Sequence, residues 1–231
     1  MTRGEEIAEN LAKVRRRINE QAEKTSRDLS EITLIVVSKN FPTSDIEILY
    51  QLGIKDFGEN RTEEATLKIG QLPSDITWHF LGQTQSRKVR SIASWADVVH
   101  SLDSVAHAKK YAQTDETKAL DFFAQVNLEP TRLDRGGIPL AELSHFLESL
   151  ATETQIMPIG LMAVAPQGLD SAKTLEVFNQ VRVAQDQLIR TFPELRYLSM
   201  GMSNDFEAAI TAGATHLRVG SSILGSRLYG A

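Results

Sequence analysis

The chain contains no cysteine, which excludes disulfides, zinc–thiolate sites and thiol nucleophiles together. Aromatic residues make up only 6%, and no apolar run approaches the roughly 18 residues that a membrane span needs. Basic charge is short as well. There are 25 Lys and Arg against 30 Asp and Glu, a formal charge of -5, which is the wrong sign for a dedicated nucleic-acid surface. The one dense basic cluster, "KVRRR" at Lys13–Arg17, lies in a helical pattern near Glu9 and Glu20 and reads as a solvated helix face. The start, "MTRGEEIAENLAKV", lacks the apolar core of a signal peptide. A soluble cytoplasmic protein is expected.

What is present is a regular alternation. Residues 5–28 form an amphipathic helix pattern through Ile7, Leu11, Val14 and Ile18. Eight strand-like runs follow: "TLIVVS", "IKDFGEN", "ITWHFLG", "DVVHSL", "DFFAQVNL", "QIMPIGLMAV", "LRYLSMG" and "THLRVG". Helical patterns lie between them, at 61–70, 86–95, 104–114, 139–151 and 171–191 among others. Ser44 with Glu47 and Asn204 with Glu207 match capping boxes, and Gly53 and Gly213 match helix stops. No linker or composition shift divides the chain, so residues 1–231 are expected to form one domain. Eight strand–helix units predict a (β/α)8 TIM barrel with an extra N-terminal helix. An open doubly wound sheet is disfavoured, because "SKNFPT" after the first strand has no glycine fingerprint.

Barrel enzymes and binding proteins place their chemistry at the C-terminal ends of the strands. Those ends carry Lys39, Glu59 and Asn60, His79 with Gly82, Asp103, Asn127, Met162, Ser199–Ser203 and Arg218–Ser222. Lys39 closes the most apolar strand of the chain. Partial burial disfavours a charged ammonium, and a neutral amine is the nucleophile that forms Schiff bases. The plain alternative is a snorkelling lysine or one paired with Glu59. Two glycine–serine segments, "SMGMSND" and "RVGSSILGS", follow the seventh and eighth strands, where barrels often hold phosphate. A carbonyl-reactive lysine opposite a dianion site suggests a phosphorylated aldehyde, either pyridoxal 5'-phosphate or a sugar phosphate in an aldolase. Arg218 favours the first, because its fork could reach the ring of a ligand held at Gly220 and Ser221.

The segments "VSKNFP", "FGENRTEEA", "WHFLGQTQSRK", "GLMAVAP" and "LSMGMSNDFEAAITAGATHLRVGSSILGSR" resemble the YggS/PROSC family, the pyridoxal phosphate homeostasis proteins. The resemblance spans nearly the whole chain and implies a barrel like the N-terminal domain of alanine racemase, without that enzyme's second domain. It implies that Lys39 holds the cofactor as a Schiff base and that Ser203, Gly220 and Ser221 bind its phosphate. It also implies that Arg218 faces the pyridine nitrogen, and that Asn60, His79 and Met162 line the pocket. Two positions depart from the family pattern. Gln83 follows Gly82 where a proline is usual, and Arg135 stands where a lysine usually precedes the glycine.

An arginine can only donate to the ring nitrogen, which leaves the cofactor a weak electron sink. Racemisation needs a second base opposite the lysine, a tyrosine in the racemases. Tyr50 and Tyr111 sit in helix patterns, Tyr197 is not obviously placed, and Tyr229 is the remaining candidate. The expected function is therefore storage, buffering or delivery of pyridoxal phosphate by a monomer, with apo-enzymes as possible partners and no nucleic acid or membrane. A low-activity racemase is the alternative. A cofactor-free aldolase would need Glu59 or Asp103 as its acid or base. His100, His107, His145 and His216 show no metal-ligand spacing, so no metal is expected.

Overall fold

The structure is a computed structural model that describes residues 1–114, 119–132 and 135–225. The spacing of Ile7, Leu11, Val14, Ile18 and Ala22 folds as α1 (Arg3–Lys24), with those five residues buried. It begins two residues before the expected 5–28 and ends four earlier. Thr2 and Glu5 cap it reciprocally, each side chain taking the other's backbone N–H.

The alternation that follows is β1 (Thr33–Val37), α2 (Thr43–Gln51), β2 (Asp56–Glu59), α3 (Thr62–Ile69), β3 (Thr77–Phe80), α4 (Val89–Ala93), β4 (Val98–Leu102) and α5 (Val105–Ala112). After these come β5 (Asp121–Asn127), β6 (Ile138–Pro139), α6 (Leu143–Glu153), β7 (Gly160–Ala163), α7 (Ser171–Leu188), β8 (Tyr197–Ser199), α8 (Phe206–Thr211), β9 (His216–Val219) and α9 (Ser221–Leu224). Among the described residues one sheet holds nine strands, and every pairing is parallel. The two-residue β6 pairs with β5 alone, while β4 pairs with β5 and β9 returns to β1. The remaining eight strands thus close the expected (β/α)8 barrel.

Alternation along each strand separates two packed layers. Phe57, Trp78 and Phe80 face the helices, where Trp78 lies 5.9 Å from Phe57 and Trp95 lies 6.0 Å from Phe80 between ring centroids. Both tryptophans are thus packing residues, as their setting suggests. Val98, Phe123 and Met162 fill the barrel interior. Helix α1 packs on α2, α8 and α9. From there Arg3 binds Asp45 and the Leu224 carbonyl, and Asn10 binds the Ile223 carbonyl.

Neither expected capping box forms. Pro42, in extended conformation, starts α2 at Thr43, which carries Ser44 inside the first turn, and no side chain caps the helix. Before α8 the turn is made one residue beyond Asn204, by Asp205, and Asp205 Oδ1 accepts the Met202 N–H at 2.5 Å. Gly53 and Gly213 do end their helices, at φ +86° and +96°. Gly201 needs glycine for both its conformation and its surroundings. It sits at φ +90°, and a Cβ there would lie 2.7 Å from Ala209 Cβ and 2.9 Å from Phe206 Cα. Gly201→Ala is expected to lower the unfolding free energy by about 1–3 kcal/mol, read from the midpoint of a denaturant titration. No helix among the described residues is long and apolar enough to cross a membrane.

Candidate functional site

Strand β1 alternates until Val37, so Ser38 turns toward α3 and is fully buried, while Lys39 comes out half-buried on the barrel side. Ser38 Oγ donates to Glu59 Oε1 at 2.8 Å. Lys68 of α3 reaches the same oxygen at 2.8 Å, the Ser38 carbonyl at 2.9 Å and Glu64 Oε1 at 2.6 Å. Glu64 in turn accepts the backbone N–H of Asn40, which sits at φ +64°. The peptide groups on both sides of Lys39 are therefore held from behind the barrel wall. That arrangement explains how a lysine can follow so apolar a strand, because the buried charges balance one another outside the barrel. Burial pushes the Glu59 carboxyl up from its usual range, against the opposing pull of Lys68 and Ser38. Glu59 is thus tied to Ser38 and Lys68 behind the wall and is not presented to Lys39 as an aldolase's acid or base.

Inside the barrel, Arg218 of β9 is 5% exposed. Its Nη1 donates to Ser199 Oγ at 2.5 Å and its Nη2 to the Ala163 carbonyl at 2.9 Å. Burial lowers its pKa to about 10, so it remains a cation at neutral pH. Below Ser199, toward the N-terminal ends of the strands, lies a cluster of rings. His100 Nδ1 is 2.9 Å from Ser199 Oγ, His100 Nε2 is 2.9 Å from His79 Nδ1, and His79 Nε2 is 3.1 Å from Asp56 Oδ1. Phe123 stacks on His100 with centroids 4.5 Å apart. His216 lies 6.5 Å from both other imidazoles and bonds Thr215 Oγ1 at 2.8 Å. Burial, then neighbouring charge from His79, holds His100 well below the ordinary imidazole range and His216 at about 4. His100 and His216 are thus uncharged at neutral pH. Among the described residues no three His, Asp or Glu side chains are grouped to hold a metal ion.

The segments after β8 and β9 meet at the rim. Ser221 Oγ lies 3.1 Å from Ser203 Oγ, and the Ser222 N–H donates to the same oxygen at 3.3 Å. These hydroxyls open onto a cavity of about 840 Å³ that Lys39, Arg218, Gly220, Ser203 and Ser221 all line. Five of the eight expected site residues are thereby brought together, with an amine, a guanidinium and hydroxyl donors around one volume.

The other three stand apart from that wall. Asn60 sits in the turn after β2 with its carbonyl beside Gly82. Met162 packs against Val98 and Phe123 in the interior. His79 does not face the mouth as expected. It is 2% exposed and engaged with His100 and Asp56, because β3 ends at Phe80 and the alternation turns His79 into the lower barrel. On the far side of the mouth, Gly137 N–H donates to Asp103 and Gln125 holds the Gly136 carbonyl. Arg135 pairs with Glu129 at 3.2 Å, so it is committed to the loop that carries it. Leu133 and Asp134 of the same "RLDRGG" stretch lie outside the described residues.

Sequence reasoning missed the cavity's second wall, formed by Pro166, Gln167, Gly168 and Leu169 after β7. The signal was available, since the loop follows a strand's C-terminal end. Among the described residues no tyrosine lines the cavity. Tyr50 bonds Asp75, Tyr111 is buried and pushed up to about 12, and Tyr197 starts β8 at the opposite end of the barrel. Tyr229 lies outside the described residues.

Residues 5–228 match the alanine racemase N-terminal domain family. The pyridoxal phosphate homeostasis protein of Escherichia coli K12 is 36% identical over 230 residues, covering 97% of this chain and 98% of that protein. The protein of the same name from Mycobacterium leprae is 34% identical over 248 residues, covering 98% and 95%. The structure of PipY from Synechococcus elongatus with PLP bound superimposes with a TM-score of 0.81 at 38% identity, covering 95% of this chain and all of PipY. Alanine racemase of Corynebacterium glutamicum shares the fold, with a TM-score of 0.70 at 17% identity over 62% of its chain.

Proposed function

The chain belongs to the family of pyridoxal phosphate homeostasis proteins, built on the alanine racemase N-terminal barrel, and on that premise we propose that it binds pyridoxal phosphate through Lys39 and holds it for storage or delivery. In this reading residues 1–231 are one cofactor-binding domain, monomeric and cytoplasmic, with apo-enzymes as recipients. The observation that carries it is that Lys39, the buried Arg218 and the Ser203–Ser221 hydroxyl pair share one cavity. The donor set suits the cofactor: hydroxyls and a glycine for its phosphate, a cation for its ring, an amine for its aldehyde.

When bound, the cofactor would supply an aldehyde, which reacts with an uncharged amine, and a ring that accepts electrons. Lys39 provides that amine on a segment fixed by Lys68 and Glu64. Ser203 and Ser221 orient the phosphate. Arg218 would donate to the ring nitrogen without giving up its proton, which limits electron withdrawal and favours holding over turnover. The described tyrosines, all away from the cavity, support the same preference over a racemase.

The test uses PLP and pyridoxal, which lacks the phosphate. The wild type is expected to turn yellow with PLP, and borohydride is expected to fix the label on the peptide containing Lys39. Ser203→Ala should weaken PLP about tenfold or more while leaving pyridoxal nearly unchanged. Equal losses for the two ligands would remove the phosphate assignment. Transfer of cofactor to an apo-enzyme supports delivery; alanine racemisation at about 1 per second or faster would replace it with the racemase reading.

A further inference from the structure

The histidines inside the barrel are not used by the binding scheme above, yet they connect to it. Four contacts run in series from Arg218 to Ser199, His100, His79 and Asp56. Arginine can only donate, and a carboxylate can only accept. Counting one proton on each imidazole, the four links have four protons to fill them, one each from Arg218, Ser199, His100 and His79. One arrangement satisfies every link. His79 must donate from Nε2 to Asp56, so its Nδ1 accepts from His100 Nε2, and His100 Nδ1 accepts the Ser199 hydroxyl. The Ser199 hydrogen thereby points away from Arg218 and its oxygen stays open to the guanidinium.

We propose that Asp56, His79, His100 and Ser199 form a directional hydrogen-bond relay that positions Arg218 from the opposite end of the barrel. Asp56 sets the direction from the first residue of β2, where its side chain is 29% exposed. Ser199 and the Ala163 carbonyl together fix the guanidinium plane, leaving its other N–H groups for the cavity. Without the carboxylate, both ring protons can shift to Nδ1. The Ser199 hydrogen then loses its acceptor and competes with Arg218 for the same space. The functional part of this inference rests on the reading that Arg218 meets the cofactor ring; the relay itself does not.

The test has two arms. In the first, ¹⁵N-histidine NMR of the cofactor-free protein is expected to show His79 and His100 protonated at Nε2. Asp56→Asn should preserve that pattern, because the amide oxygen still accepts, and Asp56→Leu should give a mixture at both rings. A proton on Nδ1 of either ring in the wild type overturns the relay, as does an unchanged pattern in Asp56→Leu. In the second arm, PLP is titrated into each variant. Asp56→Leu and Ser199→Ala are expected to shift the bound-cofactor absorption band and weaken binding by about three- to tenfold, with Asp56→Asn near wild type. Unchanged bands and affinities in a wild type that binds PLP overturn the positioning role. A wild type that binds no PLP defeats the cofactor reading, and the NMR arm then decides the relay alone. Asp56 is part-exposed and Ser199→Ala removes one oxygen, so both variants should fold, and thermal melts confirm it.

Discussion

Lys39→Ala is expected to remove the yellow colour and every borohydride-fixable label, and to weaken PLP by about 100-fold or more. The residual binding should come from Ser203, Ser221, Gly220 and Arg218, which stay in place on the far side of the cavity. Stability should shift by no more than about 0.5 kcal/mol, because the Lys39 side chain is half-buried at the mouth and its flanking peptides are held by Lys68 and Glu64. Lys39→Arg separates charge from covalency. It keeps a cation at the site, but arginine does not shed its proton, so the label should be lost there as well. Label retained on any residue in Lys39→Ala, or colour retained in Lys39→Arg, would falsify the assignment of the attachment point.

The largest effect on stability is expected at Lys68, behind the barrel wall that carries Lys39. Lys68→Met leaves Glu59 fully buried with the Ser38 hydroxyl as its remaining named partner, and Glu59 Oε2 already lacks a hydrogen bond. Breaking a buried pair on one side costs about 3–5 kcal/mol. The pH dependence follows from the direction of the Glu59 shift. Its folded-state pKa is raised above the ordinary 4.5, so its contribution is fully present below that value and is lost as pH rises through the folded value. Removing Lys68 raises the folded value further. The deficit of Lys68→Met should therefore be small near pH 4 and grow toward pH 7, measured by denaturant unfolding at both. Glu59→Gln in the same background should recover part of it. A deficit independent of pH would show that packing, and not the stranded carboxylate, is responsible.

How much of this was legible depends on how local the signal is. The eight barrel strands could be read because each is a short apolar run set off by helical spacing. The rim could be read because serine and glycine cluster at strand ends, where a barrel must bind. Cap positions failed by two residues before α2 and by one before α8, since Pro42 and Asp205 decide where the backbone enters the helix. The polar chain inside the barrel was out of reach for another reason. Asp56, His79, His100 and Ser199 come from four strands and carry no shared motif. They meet through register, with Asp56 opposite Thr77 and Gly58 opposite His79, and through closure of the ring. His79 was assigned to the mouth because it lies in a strand-end motif; counting alternation back from Phe80 would have turned it inward. Glu59 likewise looked available to Lys39, until α3 placed Lys68 between strand and helix.

The return of β9 to β1 has a further consequence. Leu34 pairs with Leu217 and Val36 with Val219, and Arg3 clasps a carbonyl 221 positions away. The two halves of the cavity come from opposite ends of the polypeptide, so a ribosome-bound or truncated chain holds only one half at a time. Such distant pairings form late in folding. Cofactor capture is thus a readout of completed ring closure, and excess cofactor, by mass action, favours the closed ring over every unfinished form.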